Sequence, residues 1–302
     1  MYSAPLSSAE LSFILSCLVA AYKSQRLKRE SKSNYTYSLM VYYTQEFASA
    51  TDDIEEFIDK MIEKTNQGYL NSKLPITVTK FCSELATISE HCVDPGLLLE
   101  TFEKMKGSYS DGQWRASYSA LRNTADAATL LVLNHWRCGE GCFAAYNSGK
   151  TFSVVKKDCA IGGLSLGHEL GHNLGAGHNV ENSDKSLAPY GHGHFIKKGK
   201  YHVGWRTIMA YPKRGEGYRT NYYSNPDVIH PLTGTPTGDR RRANNAAIIR
   251  MNIGKLAAIG DESGSCKTSF NWRDPLQPWR KMTAKLSAAT GTCLMVHAIN
   301  WG

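Results

Sequence analysis

The stretch from His168 to His178 reads His-Glu-Leu-Gly-His-Asn-Leu-Gly-Ala-Gly-His, and it dominates the interpretation of this chain. His168 and His172 are four residues apart, so on a helix their imidazoles project from the same face. Gly175 can adopt a left-handed conformation that ends the helix and turns His178 back toward the other two. Three neutral imidazoles leave one tetrahedral position open for water, which predicts a catalytic rather than a structural site for one Zn²⁺.

The alternative is an exposed polar helix face, which would be the default explanation for the first five residues of this stretch. The full pattern fixes more identities at set spacings than chance readily supplies, so we favour the metal site. A second motif agrees with this choice. Residues 207–212 read Thr-Ile-Met-Ala-Tyr-Pro, about thirty residues beyond the third histidine, like the methionine turn that accompanies such zinc helices.

With these two motifs the chain resembles the metzincin metallopeptidases, in their reprolysin-like (adamalysin-like) branch. The resemblance covers about residues 34–258, and residues 223–228 with 234–238 are similar to the segment that walls the specificity pocket in bacterial-type members. It implies an α/β fold of the metzincin type: a twisted, mostly parallel sheet with helices above an active-site cleft and a smaller, irregular subdomain below. It also implies that Met209 lies in a tight turn under the three histidines.

Two positions depart from the usual pattern of this branch. Asn179 follows the third histidine, where the family carries an aspartate thought to brace the lower subdomain, so local rigidity rather than catalysis is in question. Tyr211 stands two residues after Met209, where venom-type reprolysins have proline and astacin-like or serralysin-like enzymes have a tyrosine that approaches zinc. Tyr211 is either a hydrogen-bond donor to the oxyanion or an amphipathic packing residue, and the sequence leaves both open.

These motifs predict a zinc-dependent metalloendopeptidase that hydrolyses internal peptide bonds of protein or peptide substrates. The predicted metal ligands are His168, His172 and His178, and the predicted catalytic residues are Glu169 and Tyr211. Glu169 is expected to accept the proton of a zinc-bound water that attacks the peptide carbonyl, and to pass it to the departing amine. The alternative is a zinc-binding pseudoprotease that acts as an interaction scaffold, which the presence of Glu169 disfavours.

The composition is that of an ordinary globular protein, with 302 residues, 42% of them hydrophobic and 21% charged. No run reaches the length of apolar sequence that a membrane span requires, so none is expected. The formal charge of +8 raises the class of nucleic-acid-binding proteins, but the basic residues are scattered. The run Arg240–Arg242 is expected to open a helix. We therefore expect a solvated basic face and no nucleic-acid partner.

Eight cysteines are present and none forms a C-x-x-C pair, which argues against a zinc ribbon or a thioredoxin-type motif. Cys138 and Cys142, followed by Cys159, are similar to the disulfide-linked edge that precedes the zinc helix in the resembled family. This implies an oxidising compartment and a secreted, extracellular enzyme. The pairs expected are Cys142–Cys159 and Cys266–Cys293, with buried free thiols as the alternative.

Three regions are expected along the chain. Residues 1–29 form an N-terminal apolar segment, either a signal peptide or a prosegment helix, and the dibasic run before Glu30 predicts convertase processing at Arg29, with a surface charge cluster as the alternative. Residues 30–260 form the zinc metallopeptidase catalytic domain. Residues 261–302 are a short C-terminal extension, to which the sequence assigns no function.

Hydrophobic periodicity predicts an alternation of strands and helices over the catalytic domain. The expected strands are residues 35–43, 74–82, 127–133, 142–146 and 151–156, and the substrate is expected to lie extended along 142–146 as the edge strand. The expected helices are residues 52–67 with Thr51 as N-cap, 95–106, 163–174 and a terminal helix at 242–258.

Overall fold

The computed structural model describes residues 34–260, apart from 87, 92–93, 95–96, 105–124, 183–185, 198–203 and 212–216. The elements described are, in chain order, β1 (Tyr35–Tyr43), α1 (Gln45–Ser49), α2 (Ile54–Asn71), β2 (Ile76–Leu85), α3 (Leu98–Lys104), β3 (Ala127–Val132), β4 (Gly139–Gly141), β5 (Phe152–Lys156), α4 (Lys157–Ala160), α5 (Ser165–Asn173), β6 (Phe195–Ile196), β7 (Trp205–Arg206), β8 (Tyr218–Arg219) and α6 (Asn245–Leu256). The predicted segments 1–29, with the processing site at Arg29, and 261–302, with the Cys266–Cys293 pair, lie outside the described residues.

A five-stranded sheet forms the upper part of the molecule, with strand order β2-β1-β3-β5-β4. The first four strands are parallel and β4 is antiparallel to β5 at one edge. All six residues of the central strand β3 are buried, as its continuous apolar sequence requires of a parallel strand covered on both faces. The prediction of an α/β fold with a mostly parallel sheet is confirmed.

Each face of the sheet packs against helices through its own apolar core. One core joins strand residues to α2, α5 and α6, with Met61, Leu170 and Ile253 as representative members. The other covers the opposite face and includes Leu98 and Phe102 of α3. Helix α5, which carries the histidine motif, is therefore held between the sheet and α2 on a fully buried apolar side.

The start of α2 differs from the prediction. Asp53, not Thr51, is the N-cap, because its carboxylate accepts the backbone N–H of Glu56 at 2.9 Å. The hydroxyl of Thr51 instead donates to the carbonyl of Phe47 at 2.8 Å, at the end of the preceding short helix α1. The predicted N-cap was wrong because Thr51 belongs to the end of one helix rather than the start of the next.

The predicted edge strand at residues 142–146 is also wrong. The edge strand is β4, and residues Ala145–Asn147 form a 3₁₀ turn that follows Ala144, whose φ is 51°. The run 142–146 has the more strand-like composition, but the backbone pairing with β5 begins three residues earlier, at Gly139 opposite Val155. The prediction from residue composition therefore placed the edge strand three residues too late in the sequence.

The predicted pair Cys142–Cys159 is wrong, because Cys159 is bonded to Cys138. The shift of the edge strand from residues 142–146 to β4 explains this pairing. The carbonyl of Cys138 accepts the N–H of Lys156 at 3.0 Å, beside the end of β5 and the start of α4, which carries Cys159. The N–H of Cys142 donates to Phe152 at the opposite end of β5. Cys82 is disulfide-bonded as well.

Below the histidine helix, regular structure is sparse, as the sequence predicts. The described residues there include a small sheet with strand order β6-β7-β8, each strand two residues long. Arg241 and Arg242 donate their N–H groups to Asp239 in a turn, so they do not open the terminal helix as expected. That helix, α6, begins after its N-cap Asn244. No helix in the described part of the chain is long and apolar enough to cross a membrane.

Candidate metal centre and active site

The end of α5 turns the third histidine back toward the first two. Gly175 has φ +86°, its N–H donates to His172 at 2.8 Å, and the next N–H, of Ala176, donates to Gly171 at 2.9 Å. These two bonds are the Schellman pattern that ends a helix on a left-handed glycine. A Cβ at position 175 would lie 2.3 Å from a terminal methyl of Leu187, so a larger residue there would also have to move this side chain.

The Nε2 atoms of the three predicted ligands lie close together. The Nε2 atom of His178 lies 3.1 Å from Nε2 of His168 and 2.9 Å from Nε2 of His172. They form a group of three side chains able to hold a metal ion. Ligand atoms at the corners of a tetrahedral zinc site are about 3.3 Å apart, so the observed spacing is a few tenths of an ångström tighter than such a site.

The hydrogen bonds of the other ring nitrogens fix which nitrogen faces the centre. Nδ1 of His168 contacts the carbonyl of Ile208 at 2.8 Å, and Nδ1 of His172 contacts the carbonyl of Ala176 at 3.0 Å. A carbonyl only accepts, so each Nδ1 carries its proton and each Nε2 presents a lone pair toward His178. Lone pairs facing one another repel unless a cation lies between them. The donor set therefore fits Zn²⁺, which prefers imidazole nitrogen.

Burial favours the neutral form of His168 and of His178. It lowers the pKa of His168 well below its ordinary value, and the neighbouring His172 adds to the effect. Burial also lowers the pKa of His178, against a hydrogen bond to the backbone of Asn182. Neutral imidazole at neutral pH is the state that a histidine ligand requires.

The methionine turn lies directly under α5. Met209 is fully buried, and a Cβ placed on Gly171 would be 2.5 Å from its sulfur atom. The preceding residue, Ile208, supplies the carbonyl that orients His168. The turn therefore both supports the helix and orients the imidazole of His168, the first predicted ligand, in agreement with the arrangement that the sequence resemblance implies.

Glu169 is buried against the edge strand. A Cβ on Gly139 would lie 2.5 Å from Oε1 of Glu169, and a Cβ on Gly141 would lie 2.9 Å from its backbone oxygen. Strand β4 thus passes the carboxylate without side chains of its own at these two positions. Burial raises the pKa of Glu169 to about 8, Glu140 adds to the rise, and Arg219 opposes it. A carboxylate with this affinity for a proton is suited to proton transfer near neutral pH.

Tyr211 lies beside His168 and His178. Its hydroxyl is 3.3 Å from Nε2 of His168, and its ring contacts the ring of His178 with centroids 4.6 Å apart. Its backbone N–H donates to Oδ1 of Asn179 at 2.9 Å. The position that departs from the family pattern, Asn179, is therefore bonded to the residue whose role the sequence leaves open.

The sequence interpretation missed three contributors to this site. The glycines of β4 could have been suspected from the run Cys-Gly-Glu-Gly-Cys, but its spacing alone does not say what the glycines accommodate. Arg219 donates to the carbonyl of Gly163 at 2.6 Å, and its guanidinium carbon lies 5.8 Å from the centroid of the Tyr211 ring. No local pattern distinguishes this arginine from the other basic residues in a single sequence.

A mostly parallel α/β sheet, with a His-Glu-x-x-His helix above a buried methionine turn and a third histidine returned by a glycine, defines a metzincin-like metallopeptidase. Residues 33–224 match the model of metallo-peptidase family M12, and the chain belongs to that family.

Two curated relatives have the same description. The chain is 30% identical over 209 residues to a peptidyl-Asp metalloendopeptidase of Stenotrophomonas maltophilia (strain K279a), which covers 68% of this chain and 48% of the relative. It is 30% identical over 226 residues to a peptidyl-Asp metalloendopeptidase of Xanthomonas campestris pv. campestris, which covers 73% of this chain and 51% of the relative. The chain thus spans about half the length of these relatives.

A solved structure shares the fold. The structure titled "Structure of a chaperone-substrate complex" superposes with a TM-score of 0.58 and 18% sequence identity, over 75% of this chain and 35% of that chain. At that identity the similarity concerns the fold alone.

Proposed function

We propose that this chain is a zinc-dependent metalloendopeptidase that hydrolyses internal peptide bonds of protein substrates, with one Zn²⁺ held by His168, His172 and His178. The observation that carries the proposal is the convergence of three histidine Nε2 atoms beside a buried glutamate. Zinc, when bound, supplies a Lewis acid and makes a water molecule at the site more acidic. The names of the relatives support the same reaction class.

Glu169 performs the proton transfers in this proposal. Its carboxylate accepts a proton from the attacking water and then delivers that proton to the amine that departs. The two steps need a group whose pKa is not far from the working pH, and burial against β4 provides such a group. The absence of Cβ atoms on Gly139 and Gly141 gives the carboxylate its place at the edge of the sheet.

The substrate binds along β4 rather than along residues 142–146. One edge of β4 pairs with β5, and within the described residues no strand pairs with its other edge. An extended peptide that adds a strand there passes Glu169 and the histidines. The Tyr211 hydroxyl, beside His168, donates a hydrogen bond to the oxyanion that develops on the carbonyl.

We further propose that the enzyme cleaves at aspartyl residues and is secreted. The two relatives are named for action on peptidyl-Asp bonds. The Cys138–Cys159 disulfide and the bonded state of Cys82 are typical of proteins that fold in an oxidising compartment. The pseudoprotease scaffold is disfavoured because Glu169 is retained and buried at the site.

One experiment tests the reaction class. Purified protein is incubated with a proteome-derived peptide library, with and without 1,10-phenanthroline, and its zinc content is measured by elemental analysis. We expect about one zinc per chain, and cleavage that the chelator abolishes. His172→Ala should lose both zinc and cleavage, whereas His91→Ala, at an exposed histidine, should keep both. Unchanged zinc in the His172 variant, or no cleavage by the zinc-loaded protein, contradicts the proposal.

A further inference from the structure

Two arginines lie side by side next to the candidate active site. Arg206 of β7 and Arg219 of β8 are partners in the parallel register of the small sheet, so their side chains project from the same face. Both side chains are partly buried. Arg219 donates to the carbonyl of Gly163 at 2.6 Å, and its guanidinium carbon lies 5.8 Å from the centroid of the Tyr211 ring. The pair is thus continuous with the residues proposed for catalysis.

The nearby Glu169 raises the pKa of Arg219 but forms no salt bridge with it. No carboxylate of the described chain forms a salt bridge with either guanidinium, although other arginines and lysines do form them. The Nε–H of each arginine is buried without a hydrogen-bond partner among the described residues. Among the described residues, the side chain of Arg206 donates to the carbonyl of Gly217. Donor capacity therefore remains on both guanidinium groups.

Physical chemistry makes such a pair unfavourable on its own. Burial lowers the pKa of both arginines, and for Arg206 the charge of Arg219 lowers it further. Two partly desolvated like charges repel, and each has lost water without gaining a full set of acceptors. A carboxylate relieves both costs, because its two oxygens accept paired N–H bonds from a guanidinium fork.

We propose that Arg206 and Arg219 bind the side-chain carboxylate of an acidic substrate residue next to the bond that is cleaved. They are then the specificity-determining residues of the enzyme. The inference rests on the proposed function and names the residues that would give it a preference for aspartate. Tyr211 has Arg219 on one side, with the guanidinium carbon 5.8 Å from its ring centroid, and its hydroxyl is 3.3 Å from Nε2 of His168, so a carboxylate on Arg219 lies within one side chain of the proposed metal ligands.

The test compares two substrates that differ only in charge. Fluorogenic peptides with blocked termini carry either Asp or Asn next to the bond, so that a free terminal carboxylate cannot substitute for the side chain. The wild type should cleave the Asp peptide with the higher kcat/KM. In Arg206→Gln and in Arg219→Gln this preference should fall by about ten- to a hundredfold, the range for lost hydrogen bonds to a charged group, through loss of Asp cleavage. Arg241→Gln, at an exposed arginine in a turn, is the matched control.

A purely structural role for the arginines gives a different result. If Arg219 only positions Tyr211 or adjusts Glu169, cleavage of the Asp and Asn peptides should fall by the same factor, which would overturn the inference. Arg219→Lys provides a second variant in case the glutamine variant does not fold. It keeps the charge and loses the fork, so the ratio of Asp to Asn cleavage should still decrease.

A binding measurement separates this inference from the proposed reaction. Fluorescence anisotropy of labelled Asp and Asn peptides is measured with the Glu169→Gln protein. This measurement reports binding and does not require cleavage of the peptide. The Asp peptide should bind more tightly, and the added substitutions Arg206→Gln and Arg219→Gln should abolish the difference. Loss of that difference with no cleavage by any form refutes the peptidase but supports the arginine site. Cleavage with an Asp preference that the arginine variants do not alter refutes the site and leaves the peptidase intact.

Discussion

The side-chain oxygen of Asn179 accepts a hydrogen bond from the backbone N–H of Tyr211 at 2.9 Å. The amide nitrogen of Asn179 donates at 2.9 Å to the carboxylate of Glu181, which an aspartate could not do. Asparagine therefore suits a chain that carries an acid two residues later. The residue usual in this branch would keep the bond to Tyr211 but would face a second negative charge.

Restoring the family residue should consequently destabilise this protein. We expect Asn179→Asp to lower the free energy of unfolding by about 1 kcal/mol, because a partly buried hydrogen bond is replaced by charge repulsion. Adding Glu181→Gln should recover most of the loss. The measurement is denaturant unfolding of the two single variants and the double variant as a cycle. Additive effects in that cycle would show that Asn179 and Glu181 are not coupled.

Substitution of Glu169 should separate metal binding from proton transfer. Glu169→Gln keeps the shape of the buried side chain and removes the acceptor, so kcat should fall by roughly 10²- to 10⁴-fold. Zinc content should be unchanged, since the glutamate is not among the three grouped ligands. Peptide hydrolysis and elemental analysis on the same preparation decide this. Near-normal hydrolysis with retained zinc would remove Glu169 from the mechanism.

Tyr211→Phe deletes only the hydroxyl that lies 3.3 Å from Nε2 of His168. If this hydroxyl stabilises the oxyanion, kcat and kcat/KM should fall together by about a hundredfold, the value of one such donor. Zinc content and melting temperature should stay at the wild-type values. Tyr218→Phe, at an exposed tyrosine of β8, is the control and should have no effect. A wild-type rate in the Tyr211 variant would make this residue a packing residue only.

Two glycines one turn apart on α5 should respond oppositely to alanine. A Cβ on Gly171 would meet the Met209 sulfur at 2.5 Å, whereas a Cβ on Gly167 has its nearest neighbour, the Tyr223 hydroxyl, at 3.4 Å. Gly167→Ala should be neutral or stabilising by up to about 1 kcal/mol from helix propensity. Gly171→Ala should be destabilising by about 1–2 kcal/mol after that gain, because the core is overfilled. Thermal unfolding of both variants checks the difference, and equal melting temperatures would contradict the close contact.

The Cys138–Cys159 bond joins β4 to the segment before α5 across 21 residues. Removing it by Cys138→Ser or Cys159→Ser should cost about 3 kcal/mol, the loop-closure value for this separation. Mass mapping without reduction should recover a peptide pair that contains these two cysteines. A pair containing Cys142 and Cys159 instead would contradict the strand register described for β4.

The local pattern of the sequence predicted the elements that are long and strongly periodic. Strand β1 was predicted at its observed bounds, because its β-rich alternation ends sharply at Thr44. The histidine helix and its glycine stop were predicted from spacing, since the chemistry of the metal requires that spacing. These features are encoded within a few consecutive residues, so one sequence is enough to find them.

The features that the sequence did not predict depend on contacts between distant segments. Strand β4 is Gly-Glu-Gly, which has no apolar alternation, and it is a strand only because β5 offers it a partner. Arg206 and Arg219 become neighbours through the register of two short strands that lie on either side of the methionine turn. The disulfide partner of Cys159 was missed for the same reason, because the register of β4 on β5 decides which cysteine lies near Cys159.

The hydrogen bond from His168 to the carbonyl of Ile208 also has a consequence for biosynthesis. A ribosome that has just completed α5 has made two of the grouped histidines, but not the carbonyl that orients the first of them, forty residues further along the chain. Nascent segments that end before Met209 also lack the side chain that packs against Gly171. The proposed peptidase therefore acquires a complete centre only after the lower part of the molecule has been synthesised and has folded, so unfinished chains are unable to digest the proteins around them.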